Sequence, residues 1–272
     1  MNRQPDIPAG EQIDALIGEL IAFRWSDDAL NLGVFGNRVG SDQYRIVYRA
    51  ALEHLPGGAK VLDWGCGNGH FSYFLMKMGF RVTGFSFLDH PRLMKPFEGR
   101  FRFVRGSDGE PRSLPFASGE FDAVVSMGVL EHVRETGGEE LASLAEIRRI
   151  LKPGGVFVCA HFPNRRSWVE FLTRHFFPSK FNHRYRFSRG DISELWGLAR
   201  LEIRGVRRYG WLPRNTSGVI RSSFLNSPIA VRIYGVMEQA ARLVIYPFHQ
   251  NFLVVAVKPQ ESGGSPPARR TA

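Results

Sequence analysis

The sequence predicts an α/β protein built on a doubly wound, mostly parallel sheet. From Lys60 onward, short apolar runs alternate with segments of helical period, the pattern of β-α-β crossovers. The runs KVLDWG, FDAVVSM and GGVFVCAHF are rich in Val, Phe and Leu, as strands covered on both faces must be. A glycine-punctuated loop, GCGNG, separates the first run from the first helix-period segment, where such sheets hold ligands.

The elements follow in order. Residues 1–10 carry two prolines and little apolar material and are expected to be disordered. Residues 11–57 are expected to form an N-terminal helical cap, with Ile13, Leu16, Ile17 and Leu20 on one helical face. The main domain is expected over 58–259. It begins with KVLDWG, a helix from about His70 to Met78, and the strands RVTGFSF, FRFVRG and FDAVVSM. A helix from Glu139 to Leu151 leads through LKPGG, where Pro-Gly suits a type II turn, into GGVFVCAHF. Then come a helical region around Trp168 to Phe177, the run ARLEIRGVRRY, an insertion over about 210–250 and the closing run NFLVVAVKP. Residues 260–272, rich in Ser, Gly and Pro, are expected to be a disordered tail.

Composition bounds the function. With 272 residues, 43% hydrophobic and 23% charged, the chain can bury a full core. A net charge of +10 draws anions: nucleic acid, acidic small molecules or lipid headgroups. The two cysteines, Cys66 and Cys159, form no Cys-x-x-Cys, which argues against structural zinc and a disulfide framework. The absence of an apolar leader or an 18-residue apolar stretch leads us to expect a cytoplasmic protein, peripheral at a membrane surface at most.

The sharpest local signal is VLDWGCGNGHF, with Gly65, Gly67 and Gly69 at alternate positions before a helix. Glycine is needed where the backbone takes positive φ or lies against a ligand, and the helix N-terminus offers free N–H groups. The dinucleotide fingerprint needs a further glycine where His70 stands, which disfavours a nicotinamide enzyme. Asp63, just before the loop, would repel a pyrophosphate and attract an ammonium.

These residues, with SLPFASGEFDAVVSMGVLEHV and EIRRILKPGG in order, resemble the class I S-adenosylmethionine-dependent methyltransferases of small-molecule type. The resemblance covers about Lys60 to Pro163 and resumes at Phe252 to Pro259. It implies a Rossmann-like seven-stranded sheet with an antiparallel last strand, and S-adenosyl-L-methionine as cofactor. It further implies that Asp63, Gly65, Cys66 and Gly67 hold the methionine portion and that Asp108, or Ser107, meets the adenine. Gly69, Phe87, Met127 and Gly128 complete the expected cofactor set. Ser86 stands where the family usually has an acid for the ribose hydroxyls, and Asp89 is the alternative acceptor.

Methyl transfer to a hydroxyl needs a base, and His161, His132 and His183 are the candidates. Quinol O-methyltransferases carry Glu-x-x-Glu-His for a divalent metal; here Gly128 replaces the first acid, so no metal is expected. The expected acceptor is a small molecule, a glycan or a lipid-linked compound, methylated at oxygen. The alternatives are an RNA methyltransferase and a non-catalytic S-adenosylmethionine-binding protein. Nucleic acid is disfavoured because Ser126-Met127-Gly128-Val129 differs from the Asn/Asp-Pro-Pro-aromatic motif of amino-methylases. No obligate protein partner is inferred. Within the insertion, Ile229, Ile233, Val236, Met237, Ala240 and Val244 share one helical face. That face either buries itself on the domain as a lid or lies on a membrane, with contact through about 229–246.

Overall fold

The computed structural model describes residues 8–107, 113–176, 183–213 and 220–260. Two helices, α1 (Ala9–Ser26) and α2 (Asp42–His54), precede the first strand. The sheet comprises β1 (Lys60–Trp64), β2 (Arg81–Ser86), β3 (Arg102–Arg105), β4 (Phe121–Met127), β5 (Leu151–Pro163), β6 (Glu202–Tyr209) and β7 (Asn251–Val257). Helices α3 (His70–Lys77), α4 (Glu140–Ile150), α5 (Trp168–Phe176) and α6 (Arg189–Leu198) flank it, and α7 (Ser223–Asn226) and α8 (Pro228–Val244) occupy the insertion.

The strand order is β3-β2-β1-β4-β5-β7-β6, with β1 to β5 parallel and β7 antiparallel to both its neighbours, as expected. The order reverses between β1 and β4, so their C-terminal ends diverge and leave a crevice. Alternation of side chains along each strand divides the core in two. Val61, Ala123, Val125 and Val158 face α1, α2 and α3, whereas Leu62, Val124, Phe157 and Cys159 face α4 and α6. Ile13, Leu16, Ile17 and Leu20 are all buried, so the amphipathic face read in the sequence is the face that packs. Gly154 takes φ +78, as a type II turn requires, but the chain remains paired there as a kink within β5.

Side chains join the cap and the insertion. Asn37 Nδ2 donates to Ile220 O at 2.8 Å, Arg38 N to Asn226 Oδ1 at 2.9 Å, and Gln43 Nε2 to Leu212 O at 2.9 Å. Helix α8 corrects the lid reading: its buried residues are Ala230, Tyr234, Glu238 and Ala241, while Ile229, Ile233, Val236, Met237 and Val244 are exposed. Tyr234 packs on Trp211, with ring centroids 5.9 Å apart. Glu238 tolerates this face because Arg242 bonds it at 3.2 Å.

Candidate active site

The glycine loop leaves β1 in the left-handed region, with φ +76 at Gly65, +50 at Gly67 and +85 at Gly69. The N–H groups of Gly65 and Cys66 both donate to Phe85 O, at 2.8 and 3.0 Å, which fixes the loop on β2. A Cβ on Gly65 would lie 2.2 Å from Val129 Cγ2, and one on Gly69 would lie 2.8 Å from Pro91 Cβ, so packing excludes side chains there. A Cβ on Gly67 would meet only Gly65 O, at 3.9 Å, which leaves open space over that backbone.

Asp63 is buried beneath the loop, where the Ser72 hydroxyl donates to it at 2.7 Å. Burial pushes its pKa up to about 7, against the pull of the Ser72 hydroxyl and backbone N–H. It ties β1 to the first turn of α3. Cys66 is also buried, and its thiol is held above its ordinary range by burial and by Asp63.

Beyond the ends of β1, β2 and β4 lies a cavity of about 330 Å³, of the size small ligands use. Of the expected cofactor residues, Gly65, Ser86, Phe87 and Gly128 line it; Asp63, Cys66, Gly67, Gly69 and Met127 do not, and Asp108 lies outside the described residues. Ser86 Oγ accepts from Leu88 N–H at 3.1 Å, while Asp89 turns to the surface and bonds Arg105 at 2.8 Å. Trp64, Val129, Val133, Ser143 and Glu146 are lining residues that reading the sequence missed.

Glu146 explains part of the EIRRILKPGG stretch. Its carboxylate accepts from Leu114 N–H at 2.8 Å, and Arg149 donates to Leu114 O at 2.9 Å and Phe116 O at 2.7 Å. Helix α4 thereby positions the loop after β3 against the cavity. The bond from Arg149 holds the Glu146 carboxyl below its ordinary value.

The candidate histidines separate into two places. His132 lines the cavity, and its ring lies 5.7 Å from that of His183. Each imidazole has a carboxylate at Nδ1: Glu135 at 3.0 Å for His132 and Glu170 at 2.7 Å for His183. Burial raises the Glu170 pKa, but the bond and charge of His183 outweigh it and the carboxyl sits below its usual range. Donor atoms of Glu131, His132 and His183 lie within 4.8 Å of one another, a grouping that the local Glu-x-x-Glu-His spacing does not reveal. His161 lies elsewhere, in a bulge of β5 with φ +60, 2% exposed and outside the cavity lining. Its N–H donates to Tyr209 Oη at 2.7 Å, and the same hydroxyl lies 2.7 Å from its Nδ1. Tyr44 of the cap packs edge-on against both His161 and His70, and Tyr48 Oη meets His70 Nδ1 at 2.8 Å.

A parallel sheet with a glycine loop at its reversal point, and a cavity beyond the strand ends, defines a nucleotide-cofactor-binding α/β protein. Comparison with known proteins narrows the class: residues 62–159 match the methyltransferase domain family. The chain is 29% identical over 200 residues to an uncharacterized methyltransferase of Mycobacterium sp. (strain JLS), covering 72% of this chain and 66% of that protein. It therefore spans just under two thirds of the relative's length. Over 107 residues it is 35% identical to the ubiquinone biosynthesis O-methyltransferase of Cereibacter sphaeroides (strain ATCC 17025 / ATH 2.4.3), covering 38% and 41% of the two chains. A solved SAM-dependent methyltransferase from Archaeoglobus fulgidus shares the fold, with a TM-score of 0.54 at 17% identity over 81% of this chain and 95% of that one.

The chain thus carries a class I S-adenosylmethionine-dependent methyltransferase domain, and S-adenosylmethionine is the cofactor of that family. The residues present fit the group. Open space over Gly67 admits a ligand against bare backbone, and the cavity beside it offers Ser86 among the apolar Phe87, Leu88 and Leu114. Among the described residues, no helix is long and apolar enough to cross a membrane.

Proposed function

We propose that the protein transfers the methyl group of S-adenosylmethionine to a hydroxyl of a small-molecule, glycan or lipid-linked acceptor seated beside His132 and His183. The observation that carries this reading is the imidazole pair of His132, which lines the cavity, and His183 beside it, each with a carboxylate at Nδ1. When bound, the cofactor supplies an activated methyl on a sulfonium. The chain aligns the acceptor oxygen and takes its proton at the imidazole pair as that oxygen bonds to the methyl carbon. The sulfonium would serve as leaving group, taking the electron pair of the carbon–sulfur bond, with S-adenosylhomocysteine as the co-product.

His161 takes a positioning role in this reading. Tyr209 Oη accepts from the His161 N–H and pairs with its Nδ1, which holds the ring inside the fold and away from the cavity lining.

The exposed apolar face of α8 supports a lipid-borne acceptor. Ile229, Ile233, Val236 and Met237 stand in solvent on a chain of charge +10, the arrangement an interfacial helix needs. The test is incubation with methyl-labelled S-adenosylmethionine and cell extract, followed by partition. Label in the organic or small aqueous fraction, lost about 10²-fold in His132→Ala, is the expected result. Label confined to RNA, or no label alongside intact cofactor binding, overturns the reading.

A further inference from the structure

The arginines that look scattered along the sequence converge in the fold. Arg134 from the segment after β4, Arg165 after β5, and Arg184 and Arg186 before α6 line one concavity of about 470 Å³ with Tyr185, Phe187 and two carboxylates of α6, Asp191 and Glu194. Two of them are partly neutralised: Arg134 Nε bonds Glu140 at 2.6 Å, and Arg165 bonds Asp191 at 2.7 Å. Among the described residues, Arg184 and Arg186 form no salt bridge. Arg184 instead lies over the Tyr185 ring at 5.6 Å, with Arg134 at 4.8 Å from the same ring. Burial is the main cause that lowers the Arg186 pKa; the charges of Arg174 and Arg165 add to it and the Glu170 carboxylate opposes it.

Glu140 and Asp191 occupy Arg134 and Arg165, whereas Arg184 and Arg186 keep guanidinium forks not bonded to a carboxylate among the described residues, and such planar forks fit phosphate oxygens in pairs. The concavity also adjoins the proposed transfer site along the chain: Arg184 follows His183 directly, and Arg134 lies two residues beyond His132. A group bound here would hold an acceptor by its anionic end while its hydroxyl reaches the imidazoles.

We infer that Arg134, Arg165, Arg184 and Arg186 form an anion subsite that binds a phosphate or diphosphate group of the acceptor. This inference rests on the proposed methyl-transfer reading for its purpose, but not for its measurement. The shared chemistry is a phosphate ester, which can belong to a lipid headgroup or to a soluble glycosyl or nucleoside phosphate.

The test titrates the full chain with inorganic pyrophosphate by calorimetry, with S-adenosylhomocysteine titrated separately. Saturable pyrophosphate binding is expected, weakened at least tenfold in Arg184→Ala and in Arg184→Ala with Arg186→Ala, with S-adenosylhomocysteine affinity within twofold of the unsubstituted chain. Arg184 is exposed and lies over the Tyr185 ring, so the single variant keeps the fold. Arg184→Lys, which keeps the charge and loses the fork, should fall between. Vesicles containing phosphatidic acid and uridine diphosphate then distinguish the sources: binding lost in the variant identifies each phosphate donor the site accepts. Absent pyrophosphate binding, or binding in both alanine variants as tight as in the unsubstituted chain, overturns the subsite. Arg184-dependent binding only to RNA oligomers, rising with their length, also overturns it in favour of a nucleic-acid surface. Failure to bind S-adenosylhomocysteine alone would remove the methyl-transfer reading and leave the subsite standing.

Discussion

One hydroxyl holds His161 at two points: Tyr209 Oη lies 2.7 Å from its backbone nitrogen and 2.7 Å from its Nδ1. The clasp stabilises a non-glycine residue at φ +60, a conformation that costs on the order of 1–3 kcal/mol. It also joins β5, β6 and, through Tyr44, the cap. Tyr209→Phe removes both bonds and leaves buried polar groups behind, so a loss of about 1–3 kcal/mol in denaturant unfolding is expected. Turnover should fall less than in His132→Ala; the reverse order would return the base role to His161.

Asp63 makes stability depend on pH. Its folded pKa, about 7, stands above the unfolded carboxylate value, so the folded state binds more protons between about pH 4 and 7. Stability therefore declines as pH rises through that window. Asp63→Asn, which keeps an acceptor for Ser72 and removes the charge, is expected to be more stable than the parent at pH 8 and nearly equal at pH 4. Thermal unfolding across that range checks it. A constant difference at all pH values would show that the carboxyl is not protonated in the fold.

The space over Gly67 makes a direct test of the cofactor cradle. Gly67→Val fills a volume open in the fold and adds strain at φ +50 of roughly 1–3 kcal/mol, which the domain should survive. Calorimetric binding of S-adenosylhomocysteine should disappear while the unfolding transition remains cooperative. Unchanged affinity would remove the loop from the cofactor site.

Ser86 lines the cavity at the end of β2, where its Oγ accepts from Leu88 N–H. In Ser86→Asp the carboxylate keeps that acceptor and adds a charged one for ribose hydroxyls. Cofactor affinity should rise or hold steady. A tenfold loss would place ribose recognition elsewhere.

Val236 and Val244 are 63% and 79% exposed, so Val236→Glu with Val244→Glu changes a surface and leaves the core alone. Thermal stability is expected to move little, within about 0.5 kcal/mol per site. Co-sedimentation with anionic vesicles at low salt should drop sharply. Equal sedimentation of parent and variant, or none for either, would remove the membrane reading of α8.

The sequence by itself determined the parallel sheet, the order of its elements and the loop at its reversal point. Periodicity and glycine placement are local signals, and they mark Val61 to Trp64, Gly65 to Gly69 and the amphipathic face of Ile13 to Leu20 without reference to distant residues. The match of SLPFASGEFDAVV and EIRRILKPGG to a family was likewise written in the chain, although why the second matters was not: Glu146 and Arg149 must fold onto Leu114 before they can hold it.

Tertiary structure decided what depends on approach through space. His161 reads as a residue at the substrate edge until a β-bulge and Tyr209 withdraw it, and His132 meets His183 only when the chain after α5 returns to the ends of β4 and β5. The stripe on α8 reads as core because apolar periodicity records which residues are alike. The face that packs is the one with Ala230, Tyr234, Glu238 and Ala241, where Tyr234 meets Trp211, a partner that no local pattern names. The arginine concavity is the same case for charge: four residues from three separate segments share one field, and no short window along the sequence contains them all.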